Sequence, residues 1–251
     1  SAEFPLMDKL TPSSGRVEMV NGERLAQIRE SGAPVVFVSG HLSNWEVMPA
    51  AIVDSGVVCE MTYRAANNPY IDKRWKESRA RYGVQLFAPK GGDGSRELLA
   101  GMNRGASVAL MNDQKFNSGV EGLFFGHLVH TAPAPTRLAL RFGTVLQPMS
   151  VQRLKGARFR ATVHDPIQVP NTGDRTADIK AGVDAVNAFM EARIRERPAI
   201  AGGLAEWETR FAGKRIIGVT SHRRENFGEG MQAIASAIRQ IAGRDDVALI
   251  F

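Results

Sequence analysis

The chain has 251 residues, 43% of them hydrophobic and 23% charged, a balance that excludes disordered and collagen-like classes and suffices for a sizeable core. Lysine and arginine number 32 against 26 acidic residues, a formal charge of +6 with an isoelectric point near 9.8, so the surface favours anionic partners. A single cysteine, Cys59, excludes an internal disulfide; in the apolar run SGVVCEMTY it reads as a small buried hydrophobe in a reducing compartment. No segment approaches the ~18 to 20 apolar residues of a membrane span, and the amino end lacks a signal-peptide pattern. The chain opens on Ser1 rather than methionine, so removal of an upstream segment is expected.

In chain order, a helix-like pattern at 22–30 leads into an apolar β-branched run at 34–38. The alternation continues with helix 45–54, strand 57–62, helix 69–81, strand 84–87, helix 95–104 and strand 106–111. Helix 133–142, strands 145–151 and 159–163, and a long basic helix at 176–195 follow. This predicts an α/β fold, a mainly parallel central sheet flanked by helices, with ligands gathering at the carboxyl ends of the strands. A seam is expected where the long helix stops at Pro198 and Gly202-Gly203 follow. It divides a domain at 1–200 from a short β-α-β segment at 204–251, which begins its strand at Arg215 and stops within the apolar run VALIF.

The richest stretch is VVFVSGHLSNWE, where four β-formers run into Ser39-Gly40 and then His41. His41 and Glu46 form an H-x4-E pair. On an ideal helix that spacing leaves the side chains ~140° apart, so they meet only if His41 lies in a turn and Ser43 or Asn44 caps the helix. A carboxylate on one ring nitrogen fixes the tautomer and leaves the other nitrogen as a general base. By themselves the two residues read first as a loop histidine and a solvated helix glutamate; the flanking residues change that reading.

GHLSNWE after an apolar strand resembles the first motif of the lipid A biosynthesis acyltransferases, the lauroyl/myristoyl transferase family. A second block, TYRAANNPYIDKRWKESRARYG at 62–83, is similar to that family's next motif, with Asn67, Asn68, Pro69 and Asp72 in place and Arg79 further along the helix. The stretch 108–153 supplies Asp113-Gln114 after a strand and FFG at Phe124 to Gly126. The blocks cover about Ala2 to Arg197 in order.

The resemblance implies transfer of a fatty acyl group from acyl carrier protein to a hydroxyl of a phosphorylated glucosamine lipid, the lipid A precursor, at the cytoplasmic face of the bacterial inner membrane. It implies His41 as base and Glu46 as its orienting partner. Arg79, Asp113, Asn44 and Asn68 fall on the substrate side. Direct attack by the hydroxyl on the thioester needs no covalent enzyme intermediate, in keeping with the lack of a plausible nucleophilic cysteine. No cofactor beyond the acyl carrier protein co-substrate, no metal and no nucleic acid are expected. Family members carry an amino-terminal membrane helix and a Trp/His/Arg-rich ending, neither of which this sequence displays.

Residue chemistry alone leaves plainer readings open. Arg79 lies among Lys73, Arg74, Lys76 and Arg81, which could be a solvated helix face, and Asp113 could simply end a strand. His127, His130 and His164 lack metal-ligand spacing. Phe124, Phe125 and TAPAPTRLALRFG could line an acyl-chain tunnel or be ordinary core.

Beyond the seam, KRIIGVTSHRRENFGEG resembles the start of the carboxy-terminal half of non-hydrolysing UDP-N-acetylglucosamine 2-epimerases, so the chain reads as an apparent chimera. That resemblance implies a sugar-nucleotide loop with His222, Arg223 and Asn226 facing phosphate or sugar. Epimerase-related sugar-nucleotide binding and a non-enzymatic polyanion-binding domain are therefore the alternatives to acyl transfer.

Overall fold

The computed structural model describes residues 4–63, 65–84, 87–89, 92–114, 116–196, 209–218 and 229–250. They divide into two compact units, Ser1–Arg193 and Ile194–Phe251.

A 3-10 helix at Phe4–Lys9 opens the first unit, followed by β1 (Val17–Val20) and α1 (Glu23–Ser31). Then come β2 (Val36–Ser39), α2 (Val47–Asp54), β3 (Cys59–Tyr63), α3 (Pro69–Arg81), β4 (Phe87–Pro89), α4 (Gly92–Asn103) and β5 (Ser107–Met111). A hairpin of β6 (Val120–Phe124) and β7 (His127–Thr131) precedes α5 (Ala134–Phe142), β8 (Leu146–Arg153), β9 (Phe159–Val163) and α6 (Arg175–Arg195). The seven-stranded sheet has the order β1-β9-β8-β2-β5-β3-β4. β8, β2, β5, β3 and β4 run parallel, and β9 turns antiparallel to β8 with β1 parallel to β9. The predicted α/β architecture is the observed one.

The middle of the sheet is apolar on both faces, as a parallel sheet covered by helices requires. All of β2 is buried. Val36 and Val38 pack with Val108, Leu110, Leu138 and Val186 on one side, while Phe37 joins Met149, Phe159 and the α2 residues Val47, Ala51 and Ile52 on the other. Cys59 is buried as expected, and its thiol pKa is raised by burial and then by the neighbouring Glu60.

The 3-10 helix, β1 and the β6–β7 hairpin escape the sequence pattern. β1 is only four residues long, with Glu18 exposed and bonded to Arg160 across the strand pair. The β6–β7 hairpin carries Glu121, His127 and His130, and its turn at Phe125-Gly126 has both φ values positive, 50° and 78°. Asn-Gly or Gly-Gly usually announces such a turn, and a phenylalanine there hides it.

In the second unit, β10 (Arg215–Gly218) and β11 (Val247–Ile250) pair in parallel around α7 (Glu229–Ala242), the β-α-β segment that the hydropathy pattern predicts. Among the described residues, no helix is long and apolar enough to cross a membrane.

Candidate active site

The site begins with a register. Ser39 at the end of β2 pairs with Met111 at the end of β5, and Asn112 donates its N–H to the Ser39 carbonyl at 2.9 Å. Two residues beyond each strand end stand His41 and Asp113. Parallel strands carry equal offsets side by side, so residues 72 apart in sequence meet at the carboxyl edge of the sheet.

They meet tightly. The Asp113 carboxylate accepts the backbone N–H of His41 on Oδ2 at 2.6 Å, and its Oδ1 lies 2.7 Å from His41 Nδ1. Burial pushes the Asp113 carboxyl up, but the hydrogen bonds from the His41 ring and backbone outweigh it and hold the pKa below the ordinary carboxylate value. An ionised carboxylate only accepts, so the hydrogen of this bond is carried by Nδ1, which leaves Nε2 as the other ring position. The imidazole is about one-third exposed and meets the Trp45 ring edge to face at 5.4 Å.

Here the structure corrects the expected pairing: the carboxylate on His41 is that of Asp113, not Glu46. Glu46 turns inward, 5% exposed, at the N-cap position of α2. A carboxylate buried there needs a counter-charge, and α3 supplies it. Arg79 grips both oxygens of Glu46, Nη2 on Oε1 and Nε on Oε2 at 3.2 Å, and the Tyr82 hydroxyl donates to Oε2 at 2.8 Å. Burial opposes the charged guanidinium, yet the bonded Glu46 carboxylate keeps the Arg79 pKa above its usual value. Burial and then the same carboxylate raise the Tyr82 phenol. Arg79 thus holds a protein carboxylate through two of its nitrogens.

Backbone geometry explains the exchange of partners. Ser43 adopts φ +59°, unusual for a residue with a side chain, so the chain reverses between His41 and Glu46 and sends them to different surroundings. The N-cap position of α2 is taken by Glu46 and not by Ser43 or Asn44, and among the described residues the buried Ser43 hydroxyl finds no hydrogen-bond partner. Asn44 is 5% exposed and reaches the Met7 sulfur at 3.7 Å. Asn68 caps α3, its Oδ1 accepting the Tyr70 N–H at 2.9 Å. His222, Arg223 and Asn226 lie outside the described residues.

Asp113 of the His41–Asp113 pair also lines a cavity of about 440 Å³, within the ~300 to 1,000 Å³ range of small-molecule sites. Asp113, Gln114, Phe124, Leu128, Val129 and Met190 are among its walls. The hairpin forms one side because Gly122 lets it approach α6: a Cβ there would lie 2.8 Å from the Asn187 side chain. The Thr131 hydroxyl bonds Asn187 Oδ1 at 3.1 Å, while Asn187 Nδ2 is a buried donor with no partner among the described residues. Gly40 plays the same part at the end of β2, since a Cβ there would collide with the Met190 methyl and approach Asp113 Oδ2 at 3.0 Å. Of the stretches that could line an acyl-chain tunnel, Phe124 does stand in this cavity's wall, while the hairpin that carries it is not announced by the sequence.

The arrangement is a histidine held by a carboxylate at Nδ1, and a cavity of apolar and a few polar groups that the same carboxylate helps to line. Comparison with known proteins narrows what it belongs to. Residues 7–200 match the family model described as bacterial lipid A biosynthesis acyltransferase. The lipid A biosynthesis acyltransferase of Haemophilus influenzae (strain ATCC 51907 / DSM 11121 / KW20 / Rd) is 21% identical over 180 residues, 70% of this chain and 55% of that protein. A dihydroxy-acid dehydratase of Nitratidesulfovibrio vulgaris (strain DP4) is 35% identical over 95 residues, 32% of this chain and 17% of that protein. This chain therefore spans about half the length of the first relative and about one-sixth of the second. The match over most of the chain is the family match, in agreement with the three sequence blocks: the protein belongs to the bacterial lipid A biosynthesis acyltransferase family.

Proposed function

We propose that this protein transfers a fatty acyl chain from acyl carrier protein to a hydroxyl of a phosphorylated glucosamine lipid, a lipid A precursor, at the cytoplasmic face of the bacterial inner membrane. The observation that carries the reading is the His41–Asp113 pair beside the cavity. His41 Nε2 takes the proton of the attacking hydroxyl as its oxygen adds to the thioester carbonyl. The tetrahedral adduct then collapses, the carbon–sulfur bond breaks, and the thiol of the carrier leaves with the proton returned from Nε2. Asp113 holds the Nδ1–H tautomer and stabilises the transient imidazolium. Glu46 acts at a distance, as a positioning residue that anchors the 41–46 turn to α3 through Arg79 and Tyr82. The apolar side of the cavity, with Phe124, Leu128 and Met190, suits an acyl chain.

The test is acyl transfer from an acyl carrier protein thioester to a phosphorylated glucosamine lipid, read as the mass gain of the acceptor. His41→Ala is expected to lower kcat by ~10² to 10⁴, the usual worth of a positioned base, while donor binding is retained. Asp113→Asn is expected to lower kcat by at least ~10-fold and alter its pH profile, because the amide neither fixes the tautomer nor neutralises the imidazolium. Undiminished turnover by His41→Ala would refute the mechanism.

A further inference from the structure

The helix α3 is held to the protein by one edge only. Among its residues just Ser78 and Arg79 are buried. Tyr70 is 83% exposed, Ile71 43% and Trp75 39%, large apolar side chains that gain nothing from solvent. With Arg74 they occupy positions i, i+1, i+4 and i+5, a stripe that continues towards the amino end the face that Ser78 and Arg79 bury further along the helix. Lys73, Arg74, Lys76 and Arg81 outnumber the acidic Asp72 and Glu77 on the same helix, so the exposed surface is net positive.

We propose that α3 is the element by which this protein lies on an anionic lipid bilayer. An acidic protein partner would be complementary to the charge alone. Tyrosine and tryptophan interleaved with lysine and arginine match a different medium, the headgroup layer, where amphipathic rings sit between apolar chains and water and cations meet lipid phosphates. The stripe also adjoins the candidate site. Arg79 follows Trp75 by one helical turn and lies 5.9 Å from the Trp45 ring, which in turn meets His41. Docked through α3, the protein would hold His41 next to the surface that carries a lipid acceptor. In that purpose the inference rests on the acyltransferase reading, but its test reads vesicle binding and not turnover.

The experiment is co-sedimentation of the whole chain with vesicles of mixed phosphatidylglycerol and phosphatidylcholine, against vesicles of phosphatidylcholine alone, over a range of salt. Binding is expected to the anionic vesicles and to weaken as salt rises. Lys73→Glu combined with Arg74→Glu is expected to lower partitioning ~10-fold or more, since each cation near the surface contributes about fivefold and is here reversed. Tyr70→Ser with Ile71→Ser and Trp75→Ser is expected to abolish it at all salt concentrations, in a variant that still melts cooperatively. Failure of the chain to bind either vesicle overturns the proposal, as does undiminished binding by the triple variant. Amide exchange supplies a further outcome: protection of α3 by acyl carrier protein and not by vesicles would assign the surface to a protein and overturn the bilayer. Transfer to a detergent-dispersed acceptor that depends on His41 and survives the triple variant would leave the catalytic reading standing whatever the vesicles show.

Discussion

Glu46 and Arg79 illustrate how much a buried ion pair constrains its neighbours. Their side chains are 7% and 9% exposed, so each carries a charge that water no longer stabilises, and removing one partner strands the other. Arg79→Met is therefore expected to cost ~3 to 5 kcal/mol of stability, because Glu46 is left buried with only the Tyr82 hydroxyl. Glu46→Gln keeps the shape and strands a cation on the longer, more readily exposed side chain, so a smaller loss is expected. Urea denaturation of the two variants checks the order; equal or reversed losses would mean that Glu46, and not Arg79, is relieved when its partner is removed. The H-x4-E spacing was legible from the sequence, and so was the importance of both residues as a motif. Their partners were not, because pairing depends on a left-handed Ser43 and on a strand 72 residues away.

At the scale of elements, the site is made by close approaches that only small residues permit. The β2 terminus, α6 and the turn carrying Asp113 converge on Gly40, where any side chain would meet Met190 and Asp113. Gly40→Ala is expected to destabilise the fold by ~1 to 3 kcal/mol, as overpacking does, and to lower turnover by disturbing the His41–Asp113 bonds. Met190→Ala in the same chain should recover part of the stability by making room, while Met190→Ala alone should cost stability by leaving a void. Melting temperatures of the two single variants and the double variant test the coupling; strict additivity would show that the two residues do not share this space. The strands and helices of this region were readable from hydropathy, since β-branched runs and helical periodicity are local. The hairpin was not, because its turn uses Phe125 where a glycine or asparagine would have signalled it.

For the whole molecule, the packing of α6 against the sheet sets a pH dependence. His164 follows β9 with Nε2 2.7 Å from the Ser150 hydroxyl and Nδ1 3.5 Å from Arg193 on α6, and its ring meets Phe189 edge to face. Burial, and then the positive charge of Arg193, push its pKa down to about 4. A histidine kept neutral in the folded state takes up its proton more readily when unfolded, so its contribution is fully present above about 6.5 and is lost as pH falls towards 4. Asp113, with its pKa lowered in the fold, adds a further loss only at more acid pH, below the ordinary carboxylate value. Melting temperature should therefore decline between pH 6.5 and 4, and His164→Gln should start lower and decline less over that window. An unchanged slope in the variant would place the acid sensitivity elsewhere.

What the sequence by itself determined was the class of the fold, the order of nearly all its elements, the family of the first two hundred residues and the neighbourhood of the chemistry. Those are properties of contiguous stretches: hydrophobic period, turn residues, and motifs a dozen residues long. Tertiary structure alone decided which carboxylate serves His41, that Arg79 is turned inward, and that a hairpin walls the cavity. Each depends on strand register, on a backbone reversal at Ser43, or on the electrostatic need of a buried charge. Such requirements exist only once distant segments share one space from which water has been removed.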